Sequence, residues 1–325
     1  MGLGYNLQKA SLLLSGRGGK HFERGIEWIK KYRLPNSGIR VDNKTELVTQ
    51  EVTGYTIPTL MKAGEKDLAF DLARWEASVQ QSDGSFTAPG GVPYTFDTAQ
   101  VIRGFLAVHD ELPGLEKNLR RACDYVESQI DNEGKVLSVS YDTWKLWDGD
   151  FFTEYTHLYV LPPLLQAGKK LGEQRYVDAA LRGMDYFREK EDLVEFKPKP
   201  STISHVFGYM MEALVELEEI ELAKKGLAQA AKIQKSDGAI PAYPGVDWVC
   251  STGIAQLAVA FYKVGERDRA DKAVDYLEKI QNRSGGFYGS YGKGAKYNPN
   301  LEVSWAVKFF LDAYMLKHES DFKER

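Results

Sequence analysis

Six short stretches of the chain gather side chains able to move protons, and they recur about every fifty residues. They are Glu51 with Thr53 and Tyr55; Tyr94 with Asp97 and Gln100; Glu154 with Tyr155 and His157; and Ser204 with His205 and Tyr209. The last two are Asp247, Trp248, Cys250, Thr252 and Gln256, then Glu302, Trp305 and Lys308. The segments ahead of them add Tyr141, Trp144, Trp147, Asp148, Asp150, Tyr243, Tyr288 and Tyr291. Carboxyls and imidazoles serve as general acids and bases, histidine near neutral pH. Aromatic faces cover the C–H faces of a sugar ring while polar tips bond its hydroxyls. The same Asp and Glu residues, placed at helix starts, also suit capping and dipole pairing.

The elements that position these groups follow from apolar periodicity, which is helical almost throughout. Segments Lys20–Arg33, Lys66–Gln81, Leu115–Ile130, Glu173–Lys190, Ile220–Gln234 and Glu266–Gln281 carry one charged face, as outer helices of a layered fold do. Segments Thr53–Lys62, Thr98–Val108, Tyr155–Ala167, His205–Leu217, Thr252–Val264 and Val303–Leu316 are less charged and richer in Ala, Gly and aromatics, which predicts inner helices. The two sets alternate strictly. Short links at Ala63-Gly64-Glu65, Ala167-Gly168-Lys169 and Val264-Gly265-Glu266 predict antiparallel hairpins. Six hairpins closing in a ring give an all-α (α/α)6 barrel, a toroid, over residues 1–325, with a short N-terminal extension at 1–18. In that barrel the inner helices run parallel. All six polar stretches then open at one rim, where six positive helix-dipole ends also collect.

A turn phrase marks each return from outer to inner helix: Gln80-Gln-Ser-Asp-Gly84-Ser-Phe86, Gln234-Lys-Ser-Asp-Gly238-Ala-Ile240 and Gln281-Asn-Arg-Ser-Gly285-Gly-Phe287. A looser copy runs Gln129-Ile-Asp-Asn-Glu-Gly134-Lys-Val136. The phrase is read as scaffold, its glycine permitting the turn and its apolar residue sealing the junction. It resembles the QW-type repeat of terpenoid cyclases and protein prenyltransferases. The hairpin pattern equally resembles six-hairpin glycosidases and related polysaccharide lyases and sugar epimerases. Glu51-Val-Thr-Gly-Tyr-Thr-Ile-Pro-Thr-Leu60, Phe96-Asp-Thr-Ala-Gln100 and Trp305-Ala-Val-Lys-Phe-Phe310 resemble toroid proteins of bacterial and archaeal polysaccharide-biosynthesis gene clusters.

These resemblances imply a carbohydrate substrate and leave the reaction open. Glycoside hydrolysis needs two carboxyls about 5–5.5 Å apart for retention or about 6.5–9.5 Å for inversion. Glu51, Asp97, Asp148, Asp150, Glu154 and Glu302 are candidates. A uronate lyase or epimerase needs a base, an opposed acid and enolate stabilisation, for which His157, His205, Tyr155, Tyr209 and Lys308 qualify. The preferred reading is hydrolase-like chemistry. Asp97 and Glu51 form the carboxyl pair, and His205, Tyr209 and His157 assist. Tyr55, Tyr94, Gln100, Trp147, Asp150, Glu154, Tyr155, Trp248, Gln256, Tyr291, Trp305 and Lys308 line the substrate. A non-catalytic glycan-binding toroid is the rival of a different class. Terpenoid cyclisation is weakly supported, since Asp148-Gly-Asp150-Phe departs from Asp-x-Asp-Asp. A prenyltransferase-like zinc set would have to draw on Asp247, Cys250 and a histidine, at a spacing that is not diagnostic.

Composition narrows the partners. A net charge of −4 over 325 residues gives no polyanion-binding signal. No apolar run approaches the ~18 residues of a membrane span. Two cysteines, Cys123 and Cys250, suggest no disulfide framework and fit a cytoplasmic protein. No cofactor or metal is called for, and the oligomeric state is left open.

Overall fold

A computed structural model describes residues 19–87, 90–138 and 154–319. Among the described residues twelve α-helices alternate between an outer and an inner layer. The outer helices are α1 (Lys20–Tyr32), α3 (Lys66–Val79), α5 (Glu116–Ser128), α7 (Gln174–Arg188), α9 (Ile220–Ile233) and α11 (Arg267–Ile280). The inner ones are α2 (Gln50–Ala63), α4 (Thr95–Val108), α6 (Leu161–Leu171), α8 (Ser204–Glu216), α10 (Ser251–Lys263) and α12 (Ser304–Lys317). Burial separates the layers as the sequence predicts. On α11 only the stripe Ala270, Ala273, Val274 and Leu277 is buried, the i, i+3, i+4, i+7 face of a one-sided helix. On α10 every residue from Ser251 to Phe261 is buried.

Each inner helix packs on the next, and α12 packs on both α1 and α2, so the ring closes. Backbone bonds seal that junction: Ser304 N–H donates to Val41 O at 3.0 Å and Asn43 N–H to Glu302 O at 3.0 Å. The arrangement is an (α/α)6 toroid of six hairpins. No described helix is long and apolar enough to cross a membrane.

The Gln…Gly phrase stitches neighbouring hairpins together. Gln80 Nε2 donates to Gly84 O and to Asn118 O on α5, both at 3.0 Å. Gln234 Nε2 reaches Gly238 O at 3.4 Å and Arg269 O on α11 at 3.0 Å. Gln281 Nε2 reaches Gly285 O at 3.0 Å and His21 O on α1 at 2.9 Å, so the last copy ties the last outer helix to the first. The glycines sit at φ 92°, 96° and 94°. A Cβ on Gly285 would lie 2.0 Å from Arg24 O, so φ and space both demand glycine.

The third hairpin departs from expectation. Instead of one inner helix over Tyr155–Ala167, a 3-10 segment, Glu154–Val160, leads into α6. Pro162 and Pro163 sit in the first turn of α6 and lack the N–H groups that would continue an α-helix from the preceding turn. The turn expected at Ala167-Gly168-Lys169 is also displaced. Gly168 lies inside α6, and the chain turns at Gly172, φ 67°.

Candidate active site

The N-terminal ends of α2 and α4 each place a carboxyl in their first turn, Glu51 and Asp97. Thr49 caps α2 by accepting from Val52 N–H, which leaves Glu51 without a capping role. Asp97 is not the cap residue of α4 either, and no other residue donates to its oxygens although it is only 1% exposed; only its own backbone N–H bears on the carboxyl. Burial, then the proximity of Asp97, holds the Glu51 carboxyl well above the usual range. Burial pushes Asp97 up to about 7. Both carboxyls are raised, and the charge of Asp97 bears on Glu51, the situation in which one member of a pair can hold a proton while the other is ionised.

Tyr209, on α8, is the hub of the wall facing Glu51. Its hydroxyl donates to Glu51 Oε1 at 3.4 Å. Its ring centroid lies 4.6 Å from both Tyr159 and His205, 5.3 Å from Phe96 and 5.8 Å from Phe309. One turn earlier on α8, His205 donates Nδ1–H to Gln256 Oε1 on α10 at 2.7 Å, a tautomer that leaves Nε2 as an acceptor. Burial lowers His205 and His157 to about 4, so both imidazoles are neutral at pH 7. Tyr55 and Tyr297 stand beside Glu51, and Trp305 stands against Tyr297. Asp97, Glu51, Tyr209, His205, Tyr55, Gln256 and Trp305 thus share one neighbourhood.

Other predicted residues serve elsewhere. Gln100 is used up within its own wall, donating to Phe96 O at 3.2 Å and accepting from Arg103 Nε at 3.1 Å. Glu154 turns to the outer layer, toward the Tyr186 hydroxyl at 3.3 Å and Lys190 at 3.5 Å. Tyr155 likewise donates to Asp192 and packs on Phe187. Tyr94 is buried at the start of α4, its carbonyl taking the Thr98 hydroxyl at 2.7 Å. Trp248 meets Tyr243 edge to face, and the Tyr291 hydroxyl receives Tyr288 N–H at 2.8 Å. Both belong to loops joined by the short strands β1 (Val249–Cys250) and β2 (Ser290–Tyr291). Glu302 is a structural anchor, accepting from Trp28, Asn282 and Ser284 at 2.8, 2.8 and 2.5 Å. Asp247 is exposed and paired with Lys235, while burial pushes the Cys250 thiol up to about 12. Trp147 and Asp150, with Tyr141, Trp144 and Asp148, lie outside the described residues.

Lys308 belongs to a deeper layer. Its ammonium pairs with Asp312 at 2.9 Å and lies over the Phe309 ring at 3.6 Å. Nearby Glu216 binds Arg103 at 2.6 Å and Lys263 at 3.2 Å. Glu216 is held down to about 2 by these cations against its own desolvation, whereas burial raises Glu212 to about 7. Arg103, Glu212, Glu216, Lys263 and Asp312 form a charged floor beneath the aromatic wall. None was singled out from the sequence, nor was Glu76 on α3. Glu76 completes the buried stripe Ala69, Leu72, Ala73, Glu76 at i, i+3, i+4, i+7, and a carboxyl at an apolar position was the available signal. Among the described residues no three His, Cys, Asp or Glu side chains are grouped to hold a metal ion.

No protein-family model matches the chain, and no curated protein matches it. Solved structures do match in shape. A crystal structure of an unsaturated glucuronyl hydrolase specific for heparin superposes with TM-score 0.71 at 11% identity, covering 93% of this chain and 96% of that one. An α-amylase from Clostridium perfringens gives 0.68 at 15%, covering 92% and 98%. A polysaccharide lyase gives 0.63 at 13%, covering 93% and 98%. The fold shared with these structures is the (α/α)6 toroid. At these identities the likeness is one of fold, and the site speaks through its own residues.

Proposed function

We propose that the protein is a carbohydrate-active enzyme that acts on an oligo- or polysaccharide by acid/base chemistry of the glycoside hydrolase kind. The observation that carries this reading is the pair of buried first-turn carboxyls, Glu51 and Asp97, beside the aromatic wall around Tyr209. Glu51, held neutral, protonates the leaving oxygen. Asp97, in the first turn of α4 at the positive end of its dipole, supplies the carboxylate. Tyr209 occupies one Glu51 oxygen and leaves the other for substrate. Tyr55 and Tyr297 add aromatic rings beside Glu51, with Trp305 against Tyr297. The toroid neighbours named above, hydrolases and a lyase, support the same substrate class by analogy of fold.

A second reading, elimination or epimerisation of a uronate, is favoured by one feature: the neutral His205 stacked on Tyr209 at 4.6 Å with Nε2 free to accept a proton. Incubation with a panel of neutral and uronic-acid glycans separates the two. New reducing ends without unsaturated products indicate hydrolysis. Ultraviolet absorbance of unsaturated ends, or deuterium uptake from solvent, transfers the site to the second reading. Inertness toward the whole panel, with tight glycan binding, would make the protein a binder.

A further inference from the structure

Glu76 has no structural reason to be a carboxyl. It lies on the apolar stripe of α3, is 0% exposed, and neither of its oxygens has a hydrogen-bond partner. A carboxylate there faces three penalties: loss of water, the negative end of the α3 dipole in the last turn of that helix, and the neighbouring charge of Asp97. Glu76 is accordingly pushed well above the usual carboxyl range, first by burial and then by Asp97. Asp97 stands in the opposite situation, in the first turn of α4 at the positive end of its dipole. Its two oxygens are buried and no other residue donates to them, only its own backbone N–H bearing on the carboxyl. The ionisable groups facing this pair are Glu51 from α2 on Asp97, and Tyr209, Tyr55 and Tyr297 around Glu51. Among the described residues no Lys, Arg or His charge acts on any of the three carboxyls. A neutral carboxyl is a donor as well as an acceptor, so a donor without an acceptor lies near a carboxyl to which no other residue donates.

We propose that Glu76 is a positioning residue for Asp97: it keeps its proton and turns its O–H toward the Asp97 carboxylate, directly or across one water, so that the single negative charge of the three carboxyls resides on Asp97. Glu51 then remains the acid that faces substrate, and Asp97 is oriented from behind by a group that never touches substrate. Glu76 matters to turnover only if Glu51 and Asp97 are the reacting pair, as read above. The experiment therefore follows the titration of Asp97 itself and is independent of any substrate.

The protein is labelled with 13C at aspartate side-chain carboxyls and titrated by NMR, with Asp97→Asn identifying the Asp97 signal. Glu76→Leu removes the donor and is expected to raise the Asp97 midpoint by about one pH unit. Glu76→Gln retains an N–H donor and is expected to leave that midpoint close to wild type. An Asp97 midpoint unchanged or lowered in Glu76→Leu overturns the proposal, as does Glu76→Gln shifting it as far as Glu76→Leu. Should the leucine variant not fold, infrared spectroscopy at pH 7 decides with Glu76→Gln alone. Loss of one protonated-carboxyl C=O band relative to wild type is expected, and an unchanged band overturns the assignment.

Discussion

At the residue scale the protein keeps acids where hydrophobic residues would stabilise it more. Asp97, Glu51 and Glu76 are all raised by burial. The native state therefore holds protons that the unfolded chain releases at its ordinary carboxyl range near pH 4. For each group the sign is the same: its native contribution is fullest below that range and is lost as pH rises, through about 7 for Asp97. His157 and His205, lowered to about 4, act oppositely between pH 4 and 6.5, where rising pH favours the native state. Above pH 6.5 only the carboxyl effect is left among these groups. Asp97→Asn is expected to gain stability relative to wild type as pH rises from 5 to 8, by a few kcal/mol at the upper end. Urea unfolding at both pH values measures this; equal wild-type-to-variant differences at pH 5 and 8 would contradict it. Activity that depends on ionised Asp97 should rise with pH through the same region.

At the element scale the scaffold was legible because its signals are local. Helical periodicity distinguishes one-sided outer helices from inner helices buried all round, and the Gln…Gly phrase marks each junction. The features that helical periodicity does not carry have tertiary causes or rest on a single local cue. Pro162 and Pro163 break the third inner helix, a cue present in the sequence. Gly168 read as a turn, but it lies against Val177 at a helix crossing, where a Cβ would come 2.8 Å from that side chain. Glu76 was hidden by the charged composition of its helix, although its spacing betrays it. Gly285→Ala tests the junction directly. Its φ of 94° and the 2.0 Å approach to Arg24 O should cost about 2–4 kcal/mol. Gly294→Ala, at φ 83° with nothing within 4 Å, serves as the strain-only control and should cost about 1 kcal/mol. Equal thermal shifts for the two variants would show that the contact between hairpins contributes nothing.

At the scale of the whole molecule the ring converts six separate sequence stretches into one rim. Glu51 and Tyr209, 158 positions apart, meet only because the hairpins close. The closure itself rests on contacts between the two ends of the described chain, such as Gln281 with His21 and Ser304 with Val41. This is why the helix starts are readable from sequence while the chemistry at them is not. Helix starts could be placed from periodicity. Whether a starting residue lies near Glu51, as Asp97 does, or turns to the outer layer, as Glu154 and Tyr155 do, depends on helix rotation. The central claim is that Glu51 and Asp97 act on a glycan. The most direct test compares product release by wild type, Glu51→Gln and Asp97→Asn on the glycan that the wild type turns over fastest. Both folded variants are expected to lose about 10²–10⁴-fold in kcat/KM; wild-type turnover by either folded variant would contradict a reacting role for the pair.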